Sequence, residues 1–388
     1  MNFERGVFVA VHTGAGTHAD SSCQNHKSIC KRACQQAMAL LLGKGSALEA
    51  VTAAVAAMEN DECTNTGRGS NLTMHGTVEC DASVMCGSSL SFGAVGALSG
   101  VANPVTVARR LVEEKKLGPL PFGRIRPSIL VGKGAQEYCV EHGIGVNDNL
   151  ITDSAYKTFL RYSKKCFKKP SALLVNKKRK FSEIEKKDSE ENQKCENPRD
   201  DQVQDTVGAV CIDSEGNMAA AASSGGIWLK HAGRLGPAAV YGAGCWAQNE
   251  TSESKPGIAA VTSGCGEQLM QTLLAKTCCD SIRSTDNLTQ ALTGTFKSNF
   301  MESEFLAGDK DKFAGALLLR KIQINGVREI EVLWIHSTAS MCFGYMSGKD
   351  KTPTVRMSRL DERCCPGQSF VIEGHTVLTS GQPAATET

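Results

Sequence analysis

The apolar and polar positions along the chain predict strands and helices that follow one another in blocks. Residues 7–11 are five apolar residues in a row, typical of a strand buried on both faces, and the glycines of residues 12–16 indicate a loop after it. Further strands are predicted at 78–85, 91–98, 206–212, 218–222, 313–322 and 329–336, and helices at 29–42, 47–58, 104–114, 131–141, after 266 and at 287–298. This block order predicts a mixed α/β chain with two sheets.

The pattern breaks between residues 161 and 204. This stretch contains clusters of lysine and arginine, runs of glutamate and lysine, two prolines and little apolar periodicity. About 40 residues without secondary structure are too many for an ordinary connection in a compact domain. We therefore predict a solvated, mobile basic segment here, which ends abruptly where an apolar strand begins at Thr206.

Composition limits the class of protein. The 388 residues are 41% hydrophobic and 22% charged, which excludes a chain that is disordered throughout, and the net charge of +2 argues against a general polyanion-binding protein. The odd count of 17 cysteines and the lack of a signal-peptide pattern predict a reducing compartment. No apolar run approaches the ~20 residues of a membrane span, and no Cys-x-x-Cys pair is present, so we expect neither a membrane nor a metal partner.

The transition from Asp205 to Thr206 is the most informative place for chemistry. If the bond between them were cut, Thr206 would become the N-terminal residue of a rigid strand. Its free amine, with a pKa of about 8, could take the proton from its own hydroxyl, so that one residue supplies both nucleophile and base. Taken alone, a threonine in this position more often does no more than open a strand.

A series of motifs makes the catalytic interpretation more specific. The motifs are His12-Thr-Gly-Ala-Gly, Thr64-Asn-Thr-Gly-Arg-Gly-Ser-Asn-Leu, Cys80-Asp-Ala-Ser-Val-Met, Asp205-Thr-Val-Gly-Ala-Val, Ala219-Ala-Ala-Ala-Ser-Ser-Gly-Gly, Lys230-His-Ala-Gly-Arg-Leu-Gly and Thr262-Ser-Gly-Cys-Gly-Glu. Together they resemble the N-terminal nucleophile hydrolases of the asparaginase/glycosylasparaginase family. Within that family the resemblance is closest to the branch of threonine aspartases, endopeptidases that cut nuclear regulatory proteins after aspartate.

The resemblance implies a fold and a chain organisation. The expected fold is the four-layer αββα sandwich of the N-terminal nucleophile hydrolases. Self-cleavage is expected to give an α chain, 1–205, which ends in the basic segment of 161–204, and a β chain, 206–388. The two chains are expected to stay together as a heterodimer, and the αβ units are expected to pair.

Catalytic roles carry over position by position. Thr206 matches the nucleophile, and Asp205 matches the residue whose carbonyl is attacked during self-cleavage. Ser224 matches the hydroxyl that hydrogen-bonds the nucleophile and its amine, and Ser263 and Gly264 match the donors that stabilise an oxyanion. Structural alternatives stay open, because both serines precede glycines that would suit simple turns. No metal or organic cofactor is implied.

Substrate-binding roles are implied in the same way. Arg234 matches the arginine that grips a substrate carboxylate with its planar fork. Gly266 would let the main chain approach the substrate, and Asn65 and Gly14 are expected to line the same cleft. Asparaginases of the family usually have an aspartate three positions after the arginine, where it pairs with the substrate ammonium, whereas this sequence has Pro237. We therefore expect a polypeptide substrate with aspartate at P1.

Two other functions stay open. The first is an isoaspartyl peptidase or L-asparaginase of the same fold, against which Pro237 argues. The second is a non-catalytic nuclear scaffold that uses the basic segment to dock its partners. The sequence also has Cys86 where the family often has an aspartate, and we assign no role to that position.

The basic clusters predict a cellular location. Lys164-Lys165, Lys168-Lys169 and residues 177–180 resemble a bipartite nuclear import signal, so we expect a nuclear import receptor to bind 164–180 and the protein to occupy nucleus and cytoplasm. On charge alone, a solubilising linker explains the clusters equally well. Few aromatic residues are interleaved with them, so direct binding of nucleic acid is not expected.

Overall fold

A computed structural model of the chain describes residues 6–147, 150–166, 206–252, 255–283, 285–324 and 327–379. Within these ranges two β-sheets lie face to face between two layers of helices. The predicted α/β class, the two sheets and the αββα sandwich are confirmed. Asp205, and the predicted basic segment from residue 167 to 204, lie outside the described residues.

The strands form a large and a small sheet. Those of the described ranges are β1 Phe8–Gly16, β2 Cys80–Cys86, β3 Phe92–Leu98, β4 Ile129–Val131, β5 Val207–Ile212, β6 Met218–Ser224, β7 Cys245–Gln248, β8 Gly257–Gly264, β9 Ala314–Ile324, β10 Val327–His336, β11 Ser340–Ser347, β12 Thr354–Arg359 and β13 Val371–Thr379. The large sheet has the order β12-β11-β1-β5-β6-β2-β3-β4, and the small sheet has the order β13-β10-β9-β8-β7.

The helices cover the outer faces of the two sheets. Those of the described ranges are α1 Asp20–Leu42, α2 Ala47–Glu59, α3 Pro104–Glu114, α4 Gly132–Glu141, α5 Asp153–Cys166, α6 Gly266–Gln271, α7 Leu274–Arg283 and α8 Leu288–Phe296. Helices α1 to α4 pack on the large sheet, and α7 and α8 pack on the small one. Among the helices in these ranges, none combines the length and the apolar character needed to cross a membrane.

Strand β1 shows how the sandwich is held together. Phe8 and Ala10 are fully buried in the core between the sheets, whereas Val9 and Val11 are fully buried under the helices. Successive side chains of a strand point to opposite faces, so an uninterrupted apolar run serves both interfaces at once. The predicted burial on both faces is confirmed.

The predicted loop at residues 12–16 is wrong, because β1 continues to Gly16. Its pairing with β11 shifts register between His12 and Ala15, and Gly14 has a φ of 126°, which favours glycine. The glycines therefore make a bulge inside the strand and do not end it.

The predicted start of the basic segment at 161 is also wrong, because residues 161–166 are the last part of helix α5. Tyr156, Phe159 and Tyr162 recur at helical spacing, and their buried side chains form the face of α5 that packs against the rest of the protein. Arg161, Lys164 and Lys165 made the end of this amphipathic helix look like part of a solvated segment.

The large sheet is built from both halves of the chain. β1 lies between β11 and β5, and β2 pairs with β6, so strands from before and after residue 205 alternate across it. The division into chains of 1–205 and 206–388 stays a prediction. A cut at that point would leave both products in one sheet.

His336, at the end of β10, is fully buried. Its Nδ1 lies 2.9 Å from the carbonyl oxygen of Thr338 and its Nε2 lies 2.8 Å from the hydroxyl of Ser358. Burial lowers the pKa of His336 to about 4, and the nearby His18 adds to the effect. The fold therefore favours the neutral imidazole.

We expect acidification to destabilise the protein through His336. Between pH 6.5 and 4 the unfolded chain binds a proton at this residue that the folded chain does not bind, so the free energy of unfolding falls by up to about 3 kcal/mol as the pH is lowered. His336→Gln removes this titration and should flatten the pH dependence. Urea unfolding across the window measures both slopes, and equal slopes would contradict the assignment.

Candidate active site

The hydroxyls of Thr206 and Ser224 meet at neighbouring strand ends. Thr206 directly precedes β5, is 4% exposed, and donates from Oγ1 to the Oγ of Ser224 over 3.2 Å. The Ser224 Oγ also accepts from the N–H of Gly226 at 3.0 Å. Because β5 pairs with β6 so that Val207 lies opposite Ser223, the register itself brings the two hydroxyls together. The structure places this predicted pair in contact.

Ser263 lies at the same end of the sandwich. It is fully buried in β8, and its Oγ accepts from the N–H of Ala15 at 3.0 Å. β1 pairs antiparallel with β5, so the late residues of β1, including Gly14 and Ala15, lie beside the beginning of β5. That is the end that carries Thr206. The hydrogen bond from Ala15, in the bulge of β1, therefore links Ser263 to the strand end that lies beside Thr206.

Asn65 ties a second loop to this end. Its Nδ2 donates to the carbonyl of Gly226 at 2.8 Å, and its own carbonyl accepts from the N–H of Gly225 at 2.7 Å. Its Oδ1 accepts from the N–H of Asn71 at 2.9 Å, which shapes the loop internally. The loop of residues 64–73 is thus fixed to the two residues that follow Ser224.

Arg234 and Gly266 also come together as predicted. A Cβ atom at Gly266 would lie 2.7 Å from Nη2 of Arg234 and 2.8 Å from Cδ of Pro237, so only glycine leaves room for the guanidinium. The carboxylate of Glu267 takes up one edge of that guanidinium, with its Oε1 2.9 Å from Nε and 2.7 Å from Nη2. Glu267 follows the last glycine of a sequence motif, and no local pattern marks it as a partner of Arg234.

Lys230 is a buried cation that opens one of the sequence motifs and to which the sequence assigns no function. It is 2% exposed, and its Nζ donates to the carbonyl of Gly225 at 2.7 Å and to the carbonyl of Glu79. Burial lowers the pKa of Lys230, and the carboxylate of Asp81 opposes the change. Lys230 thus fixes the main chain next to Ser224.

Asp81 is the buried counterpart. Its Oδ1 accepts from the N–H of Ala97 at 2.8 Å, and its Oδ2 accepts from the N–H of Gly236 at 2.7 Å. Burial raises the pKa of Asp81, and the positive charges of Lys230 and Arg234 oppose the change. The carboxylate therefore holds the backbone between Arg234 and Pro237 in place.

Comparison with known proteins agrees with this architecture. A family model described as "Asparaginase" matches residues 5–308. The chain belongs to the asparaginase family. Members of this family are N-terminal nucleophile hydrolases, so the fold and the hydrolase class are established at that level.

Several relatives are similar over most of the chain. An isoaspartyl peptidase/L-asparaginase of Xenopus laevis is 32% identical over 271 residues, which cover 69% of this chain and 73% of the relative. A probable isoaspartyl peptidase/L-asparaginase of Drosophila melanogaster is 35% identical over 273 residues, 69% of this chain and 74% of the relative. A plant-type L-asparaginase of Pyrococcus abyssi is 33% identical over 282 residues, 71% and 80%.

A buried acid lies under the site of this asparaginase-family chain. Glu59, the last residue of α2, accepts from the Ser223 hydroxyl at 2.6 Å and from the N–H of Val105 at 3.1 Å. The Ser223 hydroxyl is also 2.6 Å from Oγ1 of Thr66. Burial raises the pKa of Glu59 to about 8, against the effect of these hydrogen bonds. Glu59 links the 64–73 loop to the strand that carries Ser224.

Cys86, which replaces a frequent family aspartate, lies away from the candidate site. Asp81 pairs with Ser224 at one end of β2, and Cys86 pairs with Ala219 at the other. Five residues of extended strand separate the two ends by about 17 Å. The substitution therefore does not alter the surroundings of Thr206.

In the part of the chain that the structure describes, no three His, Cys, Asp or Glu side chains lie close enough together to hold a metal ion. The catalytic roles of Thr206, Asp205, Ser224, Ser263 and Gly264 remain predictions. What the described residues provide chemically is a buried hydroxyl pair at a strand edge and, near it, a group of cationic and carboxylate side chains: Lys230, Arg234, Glu79, Asp81 and Glu267.

Gly264 offers a test of the geometry next to Ser263. It has a φ of 135°, and a Cβ atom there would lie 2.4 Å from the carbonyl oxygen of Phe313 and 2.8 Å from Cα of Ala314. We expect Gly264→Ala to destabilise the protein by more than about 1 kcal/mol in urea unfolding. Gly294→Ala is the control, because nothing lies within 4 Å of that Cβ and alanine favours its helix. If Gly264→Ala and Gly294→Ala had equal free energies of unfolding, the steric strain expected at position 264 would be contradicted.

Proposed function

We propose that the chain is a threonine endopeptidase of the threonine aspartase (taspase) type. It cuts its own chain between Asp205 and Thr206 and then cuts protein substrates after aspartate. The observation that carries the proposal is the buried Thr206 at the head of β5, with its hydroxyl 3.2 Å from that of Ser224. A nucleophile on a rigid strand end is what an N-terminal nucleophile hydrolase needs.

The self-cleavage step follows from covalent chemistry. The Thr206 hydroxyl attacks the carbonyl carbon of Asp205, and the C–N bond breaks as an ester to the threonine oxygen forms. The nitrogen of Thr206 takes up the hydroxyl proton and leaves as its new α-amine. Water then hydrolyses the ester and releases the Asp205 carboxylate, so that water is the one reactant consumed.

Cleavage of a substrate uses the amine that self-cleavage exposes. The α-amine of Thr206 takes the proton from Oγ1, and the oxygen attacks the carbonyl of the P1 residue. In this proposal Ser263 and Gly264 stabilise the developing oxyanion, and Ser224 orients the amine. The protonated amine then donates to the departing amide nitrogen, and water hydrolyses the threonine ester.

The charges near the site support a P1 aspartate. Lys230 and Arg234 are both cationic, whereas Pro237 provides no carboxylate for a substrate ammonium. Both oxygens of Asp81 already accept backbone hydrogen bonds. A side-chain carboxylate in a polypeptide suits this balance of charge better than a free amino acid with its ammonium group.

A second candidate is an isoaspartyl peptidase or L-asparaginase. The names of the relatives favour it, since proteins 32–35% identical over about 70% of the chain carry those activities. Glu267 is also an exposed carboxylate beside Arg234 and could receive an ammonium group. Free asparagine and aspartyl peptides therefore have to be compared directly.

The proposal extends to partners and location. Self-cleavage would yield an αβ heterodimer, and pairs of these units would form the assembled enzyme. An import receptor that binds 164–180 would bring the protein into the nucleus, where regulatory proteins are its proposed substrates. Lys164 and Lys165 end helix α5 and are the described part of that signal.

Self-cleavage can be tested by mass. We expect the purified 41.3 kDa chain to give two fragments after a day at neutral pH, one of which begins at Thr206. Thr206→Ala should stay intact because it lacks the attacking oxygen, whereas Thr206→Ser should still be cut. Thr289→Ala, at an exposed position of α8, is the matched control and should be processed normally. A processed Thr206→Ala chain would disprove the mechanism, and an uncut wild type would favour the scaffold hypothesis.

Substrate class can be tested with the processed protein. We expect it to cut a peptide with aspartate at P1, to leave the matching asparagine peptide intact, and to turn over neither free asparagine nor β-aspartyl dipeptides. Arg234→Gln should lower kcat/KM for the aspartyl peptide about 10- to 100-fold, since it removes a charged hydrogen-bond donor. Turnover of asparagine without cleavage of the peptide would establish the second candidate.

A further inference from the structure

The guanidinium of Arg234 is already occupied by a carboxylate. Nε lies 2.9 Å and Nη2 lies 2.7 Å from Oε1 of Glu267, and Nη2 also lies 2.8 Å from Oε2. This is the bidentate arrangement by which an arginine binds a carboxylate ligand. Glu267 therefore makes, within the chain, the contact that a substrate aspartate would make.

The two partners differ in their surroundings. The side chain of Arg234 is 14% exposed, whereas that of Glu267 is 53% exposed. Glu267 lies in the first turn of the short helix α6 and is exposed, so its carboxylate can move into water at little cost in hydration. Arg234 is wedged against Gly226, Gly236 and Gly266 and cannot follow it. The pair can open on one side only.

The other carboxylate near Arg234 has a different bonding pattern. Asp81 is fully buried and binds the N–H groups of Ala97 and Gly236, so its charge is part of the fold. Release of Glu267 would remove the carboxylate that makes the two-oxygen contact with the guanidinium of Arg234. One incoming carboxylate would restore that contact, which makes the exposed Glu267 the exchangeable anion of the group.

We propose that Glu267 is an internal competitor for the P1 carboxylate. It occupies Arg234 while the site is empty, yields that position to the substrate aspartate, and returns as the product leaves. This inference rests on the proposed aspartate specificity. Glu267 would then set the KM for aspartyl substrates and limit inhibition by the aspartate-ended product.

The variant Glu267→Gln keeps the size of the side chain and removes its charge. We expect its KM for an aspartyl peptide to fall about fivefold, because an exposed ion pair of modest strength no longer competes. Inhibition by the product with a C-terminal aspartate should strengthen by a similar factor. Glu302→Gln is the matched control, since Glu302 is an exposed partner of Lys297 in an ion pair outside the site.

A binding measurement separates this inference from the proposed activity. Calorimetry with acetyl-aspartate N-methylamide, which has a single carboxylate, should show about fivefold tighter binding to Glu267→Gln than to wild type. The asparagine counterpart, which has none, should bind both proteins alike. These results support the competitor role even if the wild type cuts no peptide, a failure that would count against the endopeptidase alone.

Three results would overturn the inference. KM and binding could be unchanged in Glu267→Gln, which would mean that the pair stays closed or never forms. Both could weaken, which would make Glu267 a residue that positions Arg234. Neither protein could bind the probe at all, which would remove Arg234 as the receptor of a carboxylate.

Discussion

The candidate site depends on how closely the two sheets approach at Gly208. A Cβ atom at this position would lie 2.6 Å from Nε2 of His12 and 2.7 Å from the Cβ of Val261. Only glycine allows β5 to lie beside β1 in its own sheet and against β8 of the other sheet at this distance. The beginning of β5, the bulge of β1 and the end of β8 consequently share one edge of the sandwich. Thr206 and Ser263 reach that edge from different sheets.

Burial divides the charged groups at this edge into two kinds. Asp81, Lys230 and Glu59 are buried and bind backbone or hydroxyl groups, so these three side chains stabilise the fold. Glu267 is exposed, and the exposure of its partner Arg234 is intermediate between that of Glu267 and that of the buried groups. Desolvation therefore decides which interactions hold the loops in place and which are available for exchange with a ligand.

The sequence predicts several of the elements that have an unbroken local pattern, although the fully buried strands β8 and β11 were not predicted. β1, β5 and β6 are continuous runs of apolar or small residues, and helices α2 and α3 are close to their predicted bounds. β12 was missed, because its residues alternate between partial and full exposure at the sheet edge. The short β7 was missed inside a glycine-rich stretch. In each case the strand is defined by its neighbour in the sheet more than by its own composition.

The candidate site divides along the same line. The family resemblance pairs Thr206 with Ser224, and the hairpin of β5 and β6 brings these two residues, 18 positions apart, together. Asp81 meets Gly236 across 155 positions, and Glu267 meets Arg234 across 33. Such contacts depend on how the sheets stack, which no local pattern specifies. The motifs contained these residues, but only the tertiary structure gives them partners.

Strands from before and after residue 205 are interleaved in the large sheet, so a break in the chain at that point has consequences for folding. Fragments that separate at residue 205 would each own strands whose hydrogen-bonding neighbours lie in the other fragment. Neither could complete the sheet alone, so the native state would become a complex whose formation is bimolecular. The free energy of unfolding would then depend on protein concentration. Dilution would slow the refolding of the two fragments, whereas folding of the continuous chain is unimolecular and does not depend on concentration. The first folding of such a protein has to precede its cleavage.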